Sequence, residues 1–538
     1  MKRLATLIVI GLSLVGCGPK NTFVYEGNPL VRDKYTADPA PMVASDGRLY
    51  LFCGHDECFE DRPGYEGKYG FNITEWLCYS TDDMKTWTDH GVVMKPTDFS
   101  WAVGEAWASQ AVEGADGRYY FYVSTQCGDP NCKAVGVAVS DRPEGPYADA
   151  IGRPLIVDSM TDNGPRGWWN DFDPTVMIDD DGTPWMSWGN GTCFLVKLKR
   201  NMIELDGDIM ILPMENYVEG PWLYKRDGHY YNVYASMGEK LESISYAMAE
   251  NVEGPWTFMG ELSGMAEDSF TIHPGVIDYK GKSYLFYHNS ILSLDGYGPA
   301  TGRRSVCVDE LIYNPDGSMR PVIQTRAGVS TDDLVERFPA LSPYFSTPSS
   351  DSVHPDGSGF IRRWLLLEPI SKPNYTNTVF VDSYIRQNLD TGWNKDGFEM
   401  PSDGQREAVD DVTLTWHALD SKLFNVKLYR YAVGTGTGRY GAIFRAATLI
   451  DVPEDLVNVR FAVGSNSASM WWIDGEEALI LSGDRRMVMD DGASRRLTLG
   501  KGRHVITGAV INGPGMSDFC FRFIDEQGDP VLDYQILK

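Results

Sequence analysis

Three acidic residues occupy the same place in a repeated sequence pattern. Asp38, Asp173 and Glu219 each lie nine residues before a turn glycine. If the repeats fold alike, the carboxylates converge, and crowding in a low dielectric raises the pKa of at least one while another stays ionised. Glycosidic bond hydrolysis uses such a pair, because one acid protonates the leaving oxygen and the other carboxylate activates water or attacks directly. The same residues could instead cap strand starts or bind calcium or magnesium.

The elements that must position these acids form a fivefold repeat. Each unit has an apolar strand, a turn ending in glycine and a second strand rich in aromatic residues. The units start at Asp38, Ala108, Asp173, Glu219 and His273, and their turn glycines are Gly47, Gly117, Gly182, Gly228 and Gly281. Asp-Gly between apolar runs is a strong hairpin signal, and five such units predict an all-β, five-bladed propeller rather than a series of sandwiches. Equivalent positions then share one radius, so the acids and His273 should meet at one end of the central channel.

The composition favours an uncharged ligand. Asp and Glu number 75 against 48 Lys and Arg, which gives the 538-residue chain a formal net charge of −27, and 12% of its residues are aromatic. Such a charge repels phosphate, so nucleic acid and anionic lipid are disfavoured as partners. A neutral sugar, bound by aromatic faces and carboxylates, suits the chain better. No G-x-S-x-G, H-E-x-x-H or Walker motif indicates another reaction.

From about residue 28 to 323 the sequence resembles glycoside hydrolase family 43. The likeness is carried by the acidic motifs at blade spacing and by segments between them: Asp38-Pro39, Asp173-Pro174, Glu219-Gly220-Pro221, Tyr79–Asp83 with Trp87–Gly91, and Trp107-Ala108. Members of that family are five-bladed propellers, mostly α-L-arabinofuranosidases, β-xylosidases and endo-arabinanases that act with inversion. The resemblance therefore implies both the fold and a class of reaction.

The resemblance also implies a role for each acid. Asp38 matches the general base that deprotonates water, and Glu219 matches the general acid that protonates the departing oxygen. Asp173 matches the residue that raises the pKa of that acid and holds its orientation. Inversion leaves room for a water molecule, so the carboxyl groups of Asp38 and Glu219 should lie about 6.5–9.5 Å apart.

Further residues around the site follow from the same resemblance. His273 resembles the family's central histidine, which often faces a calcium or water cluster, so a structural calcium near it is plausible although no cofactor is required. Arg304, or less favourably Arg303, resembles the last-blade arginine that contacts the sugar. Trp107 and Trp222 are either walls of the sugar subsite or propeller core.

Two segments depart from the family pattern. Ser109 follows Trp107-Ala108 where many relatives have proline, so the local backbone could differ. The loop at Cys53–Cys58 contains two cysteines around His55 and Asp56, where a plain His-Asp segment is expected, which leaves the role of that pair less certain.

The predicted function is the release of α-L-arabinofuranosyl or β-D-xylosyl units from plant cell-wall polysaccharide, namely arabinoxylan, xylan or arabinan. A second class of protein remains open, a non-catalytic glycan-binding lipoprotein built on the same propeller. That class predicts loss of at least one acid, whereas all three are present. A third reading is a scaffold in which the acids bind calcium.

The amino terminus is typical of a bacterial lipoprotein. Lys2 and Arg3 precede an apolar run over residues 4–16, which is too short to span a bilayer and ends in Leu-Val-Gly before Cys17. We expect residues 1–17 to be a signal peptide ending at a lipidated Cys17. We then expect the protein to be exported and to associate with the membrane only through this anchor, in the outer membrane on its periplasmic or surface face. The alternative is an ordinary cleaved signal with a chance cysteine.

The remaining cysteines include two pairs with one spacing, Cys53 with Cys58 and Cys127 with Cys132. Export permits disulfides, so short loop bridges are favoured over a zinc site, whose usual spacing is absent. The other four resemble buried thiols: Cys78, Cys193, Cys307 and Cys520.

The second half predicts a separate β domain. We place the propeller at residues 24–323, a Ser- and Pro-rich linker at 324–357 and a β-sandwich at 358–538. The stretch around Trp471-Trp472 resembles accessory domains of bacterial polysaccharide-degrading enzymes. Adjacent strand residues point to opposite faces, so we expect one of these tryptophans to face the core.

Overall fold

Strands are the main secondary structure of the described residues. The computed structural model describes residues 21–57, 70–129, 131–161, 167–294, 296–395 and 397–538. Two units divide after Val308. The predicted all-β class is confirmed. No helix among the described residues is long and apolar enough to cross a membrane. Cys17 and the rest of the proposed signal peptide lie outside the described residues.

The first unit contains five antiparallel sheets in chain order. The first sheet is β1 (Asn21–Val24), β2 (Tyr35–Val43), β3 (Leu49–Asp56), β4 (Ile73–Thr81) and β5 (Thr86–Met94). The second is β6 (Ala102–Gly104), β7 (Ser109–Glu113), β8 (Tyr119–Gly128), β9 (Asn131–Ser140), β10 (Ala148–Asp149) and β11 (Ile156–Val157). The third is β12 (Thr175–Ile178), β13 (Pro184–Trp188), β14 (Cys193–Lys197) and β15 (Met210–Leu212). The last two are β16 (Tyr217–Arg226), β17 (His229–Met237), β18 (Glu242–Ala249) and β19 (Thr257–Ser263), then β20 (Gly275–Tyr279), β21 (Lys282–Asn289) and β22 (Ser305–Leu311), whose last three residues follow the division at Val308.

The inner strands of the five sheets form a closed ring. β2 contacts β7, β7 contacts β12, β12 contacts β16, and β20 returns to β2. The indole N–H of Trp222 in β16 donates to the carbonyl of Val276 in β20 at 2.9 Å. Gly275 permits the last contact, because a Cβ there would lie 2.5 Å from the carbonyl oxygen of Pro39. This ring is the predicted five-bladed propeller.

The second unit is built from two sheets. Its strands are β23 (Phe345–Ser346), β24 (Ser352–Val353), β25 (Arg363–Leu367), β26 (Ile370–Ser371), β27 (Arg406–Val409), β28 (Val412–Ser421), β29 (Ala442–Val452), β30 (Leu456–Ser465), β31 (Ala468–Ile473), β32 (Glu476–Leu481), β33 (Gly492–Ala493), β34 (Leu497–Leu499), β35 (Gly502–Asn512), β36 (Phe519–Ile524) and β37 (Gln535–Leu537). The larger sheet runs β23-β28-β25-β29-β35-β31-β32, and β30 pairs with β33, β34 and β36 in the smaller. Trp364, Trp471, Phe519 and Phe521 meet in the core of this unit.

Helices are few and short. Among the described residues, the α-helices are α1 (Leu334–Arg337), α2 (Asp382–Leu389) and α3 (Leu428–Gly434), all in the second unit. Short 3-10 turns occupy Pro96–Asp98, Asp158–Met160, Gly167–Trp169, Pro339–Leu341 and Asn377–Val379.

The structure differs from the predicted domain boundaries. The division falls after Val308 rather than after residue 323, and the stretch expected to be a linker belongs to the second unit. Leu334, Leu341 and Phe345 from that stretch are buried in the core of the second unit. Because the segment is rich in Ser and Pro, its few apolar side chains gave no sign of a packed structure in the sequence. Their burial stabilises the position of the segment.

Trp471 and Trp472 do point to opposite faces of β31, but both are fully buried. Trp471 belongs to the core between the sheets, whereas Trp472 packs with Trp393 beneath α2 on the other side. Neither indole is exposed for stacking on a sugar.

Cys127 and Cys132 face each other directly across β8 and β9. Both are buried free thiols in the structure, so the favoured disulfide is not formed there. Cys53 is also a buried free thiol, and its predicted partner Cys58 lies outside the described residues.

Candidate active site

The three acids sit where the inner strands depart from regular geometry. Asp38 and Asp173 have φ of +53° and +54°, a left-handed region that Asp tolerates better than most residues. The pairing of β2 with β3 is irregular at Asp38, and the pairing of β16 with β17 is irregular on both sides of Glu219. Such bulges re-aim a side chain and are frequent next to active sites.

Asp38 is held as a carboxylate by an arginine. It is 4% exposed, and Arg304 Nη1 donates to its Oδ1 at 2.8 Å. Burial by itself would raise the pKa of Asp38, but the Arg304 charge, aided by His288 and His273, outweighs it and holds the pKa well below its ordinary value. Asp38 is therefore ionised and can accept a proton.

Arg304 is in turn fixed by Asp56. Its Nε and Nη2 donate to the two carboxylate oxygens of Asp56 at 2.9 and 3.0 Å, a bidentate pair. Its guanidinium carbon lies 4.6 Å from the ring centroid of Phe71. The adjacent Arg303 instead donates to the carbonyl of Gly298. Arg304 is thus the arginine of the site, and Asp56, from the His-Asp segment of uncertain role, is its support.

Asp173 and Glu219 lie next to negative charge, whereas Asp38 lies next to a cation. The backbone N–H of Gly220 donates to Asp173 Oδ2 at 3.0 Å, which ties the two acids together. Burial, followed by the negative charges of Glu219 and Asp38, raises the pKa of Asp173 well above its ordinary value. Asn190 Nδ2 donates to Glu219 Oε2 at 2.6 Å. Because the negative charge of Glu219 contributes to the raised pKa of Asp173, the two carboxyl groups titrate as an interacting pair.

His273 lies between these two environments. Its Nδ1 is 4.0 Å from Asp38 Oδ1 and 3.9 Å from Asp173 Oδ2. Burial lowers the pKa of His273 to about 4, so its ring is neutral at neutral pH. The ring packs closely on Gly220, where a Cβ would lie 2.9 Å from Nδ1. Among the described residues, no group of three or more His, Cys, Asp or Glu side chains is arranged to hold a metal ion.

Three further polar residues touch the acids and were not predicted. His288 accepts the backbone N–H of Asp38 at 3.3 Å, Ser124 accepts the backbone N–H of Asp173 at 2.6 Å, and Asn190 binds Glu219. Each lies seven or eight residues after its turn glycine. Ser124 is within β8, whereas His288 and Asn190 lie near or just beyond the end of the second strand of their blades. The alignment that found the acids, extended eight residues past the turn, would have found these residues too.

The two predicted tryptophans have different surroundings. Trp107 is 7% exposed, and its ring lies 5.4 Å from Phe71 and 5.2 Å from Phe172, the neighbour of Asp173. Trp222 is 4% exposed and bound to the next blade through Val276. Trp107 therefore lies beside the acids, whereas Trp222 is part of the packing between blades.

Comparison with known proteins places this geometry in a family. The family model described as glycosyl hydrolases family 43 matches residues 26–318. A β-D-galactofuranosidase from Aspergillus niger is 29% identical over 317 residues, covering 56% of this chain and 86% of the relative. An arabinoxylan arabinofuranohydrolase from Paenibacillus polymyxa is 26% identical over 343 residues. The match covers 56% of this chain and 52% of the relative, so the chain spans about half of that relative's length. A β-xylosidase from Xylanibacter ruminicola is 29% identical over 336 residues, covering 54% of this chain and 97% of the relative. The chain belongs to glycoside hydrolase family 43 and is a glycoside hydrolase.

Proposed function

We propose that the protein hydrolyses terminal α-L-arabinofuranosyl or β-D-xylosyl linkages of plant xylan, arabinoxylan or arabinan with inversion. One observation carries the proposal: acids at equivalent repeat positions have pKa values shifted in opposite directions, with Asp38 ionised against Arg304 and the pKa of Asp173 raised beside Glu219. The names of the relatives, two furanosidases and a xylosidase, support the substrate class.

In this mechanism Asp38 is the general base. Its carboxylate, oriented by Arg304, takes a proton from the attacking water on one face of the sugar. Because His273 is neutral near pH 7, it does not compete with Arg304 as a charged partner of Asp38.

Glu219 is the general acid. Asn190 donates to Oε2 at 2.6 Å and so holds the carboxyl group of Glu219 in position. Asp173 keeps the proton on the pair by like-charge proximity, and the Gly220 N–H fixes its distance from Glu219. Bond cleavage and water attack then proceed with protein groups alone, and a structural calcium near His273 stays a prediction.

The location of the protein is also a proposal. A lipidated Cys17 would tether the exported chain to the outer membrane. The anchor would be the sole membrane contact.

Product analysis of wild type and Glu219→Gln tests the function. The substrates are aryl α-L-arabinofuranoside, β-D-xyloside and β-D-galactofuranoside, each with the methyl glycoside of the same sugar, and NMR records the first anomer released. We expect an inverted arabinose or xylose from wild type, and a loss of at least about 100-fold in kcat for Glu219→Gln on the methyl glycoside, whose leaving group needs a proton.

The exposed Glu261 of the same blade supplies the control, Glu261→Gln, which should retain wild-type rates. A retained anomer, or full activity of Glu219→Gln on the methyl glycoside, would refute the assignment. Tight glycan binding without turnover by wild type would favour the glycan-binding alternative.

A further inference from the structure

Glu105 is a half-exposed carboxylate held by buried partners beside the acids. Its Oε2 accepts the indole N–H of Trp107 at 2.8 Å and a short hydrogen bond from the ammonium of Lys133. The Lys133 side chain is 1% exposed, whereas that of Glu105 is 46% exposed. A buried cation thus fixes a carboxylate that reaches solvent.

Lys133 is enclosed by aromatic rings. Its Nζ lies 4.9 Å from the Trp107 ring centroid and 4.3 Å from that of Trp169, within cation–π range. Burial lowers the pKa of Lys133 below its ordinary value, and Glu105 opposes that shift. A buried ammonium is costly unless it is paired, so this lysine holds the Glu105 carboxylate in one position.

The backbone at Glu105 is constrained as well. Its φ is +64°, a left-handed conformation that a glutamate seldom adopts. The Thr125 hydroxyl donates to the carbonyl of Glu105 at 2.9 Å and so ties this residue to β8. Strain of this kind persists where the surroundings over-determine it, and it clusters at functional sites.

The second oxygen of this carboxylate is available. Within the part of the chain that the structure describes, no hydrogen bond or ion pair involves Glu105 Oε1. Charged acceptors make the stronger hydrogen bonds to hydroxyl groups. A sugar hydroxyl is the donor that the neighbouring aromatic rings and the uncharged substrate class would bring.

The position of Glu105 indicates which sugar unit it meets. Trp107 links it to the Asp38 side through Phe71 and to the Asp173 side through Phe172. Two aromatic rings, Trp107 and then Phe71 or Phe172, therefore separate Glu105 from the acids that act on the cleaved unit. We propose that Glu105 Oε1 accepts a hydroxyl of the adjacent sugar unit and selects oligosaccharides over glycosides that lack one. This inference rests on the proposed function.

The test compares Glu105→Gln with wild type on two substrates that release the same sugar, an oligosaccharide and the methyl glycoside. We expect kcat/KM on the oligosaccharide to fall about 10- to 100-fold, the worth of a charged hydrogen bond, with the methyl glycoside within about twofold of wild type. Glu113→Gln is the matched control, because Glu113 lies at the far end of β7, where it contacts the backbone N–H of Ser45 and the side chain of Tyr119.

Equal losses on both substrates, or no loss on the oligosaccharide, would overturn the inference. Glu105→Gln could melt at a lower temperature because Lys133 loses its charged partner. In that case the double variant Glu105→Gln/Lys133→Met, which also removes the buried charge, is compared with wild type on the same two substrates. If wild type cleaves neither substrate, the proposed function fails. Calorimetric binding of the oligosaccharide to wild type and Glu105→Gln then decides on Glu105 alone, and equal affinities would reject it.

Discussion

At the scale of single residues, Asp38 and Asp173 are identical side chains at equivalent repeat positions whose pKa values are shifted in opposite directions. The difference comes from their neighbours, since Asp38 meets Arg304 whereas Asp173 meets Glu219 and a backbone N–H. The repeat pattern predicted that the acids would meet. It could not predict which one stays charged, because Arg304 and Asp38 are 266 residues apart in the chain.

Replacing Asp173 tests this division of roles. In Asp173→Asn the acid Glu219 loses its negative neighbour, so it releases its proton at lower pH. The alkaline limb of kcat/KM against pH should move down by about one unit or more, and activity at neutral pH should fall. Initial rates on the methyl glycoside between pH 4 and 9 measure the limb.

The exposed turn residue Asp181 supplies the control, since Asp181→Asn should leave the limb in place. The contribution of Asp173 to the free energy of unfolding has its own pH dependence. The pKa of Asp173 is raised on folding, so its contribution to stability is full below the ordinary value of 3.8 and is lost as pH rises through the folded value. An unmoved limb in Asp173→Asn would mean that Asp173 does not set the pKa of Glu219.

At the scale of elements, the hairpins were predictable and the irregularities were not. Asp-Gly turns and aromatic strands are local signals, so all five blades could be found from the sequence. The bulges at Asp38 and Glu219 depend on close packing between blades, as at Gly220 beneath His273. Sequence spacing carries no sign of that contact.

Gly220→Ala measures how far the site depends on this packing. A Cβ would meet His273 at 2.9 Å, and φ is +60°, so we expect the free energy of unfolding of the propeller to drop by about 1–3 kcal/mol, with a loss of activity. Urea unfolding and kcat record the two effects. Gly264→Ala is the counterpart, since nothing lies within 4 Å of its added Cβ and its φ is not in the left-handed region. Equal stability of both variants would contradict the interpretation.

At the scale of the whole molecule, the sequence predicted the classes of both units but misplaced the line between them. Leu334, Leu341 and Phe345 are too widely spaced to form a recognisable strand, yet all three are buried in the second unit. The boundary between two domains depends on the hydrophobic core in which each side chain is buried. That core is formed by residues that are distant in the sequence. The two tryptophans of β31 illustrate the same limit, because the residues that cover Trp472 come from elsewhere in the sequence.

The closed ring makes a kinetic prediction. The contacts between β2 and β20 join chain segments far apart in sequence, and such pairings form slowly. On refolding from urea, activity should therefore return later than the far-ultraviolet circular dichroism signal of the strands. Simultaneous recovery of the two signals would show that closure is not the late step.

The same closure bears on synthesis. A ribosome makes the base Asp38 early and Arg304 only after all the blades that lie between them. A chain that ends before residue 304 lacks Arg304, the cation that holds Asp38 in its charged form. We therefore expect such truncated chains to be inactive. The active centre is thus complete only after the whole propeller has been translated.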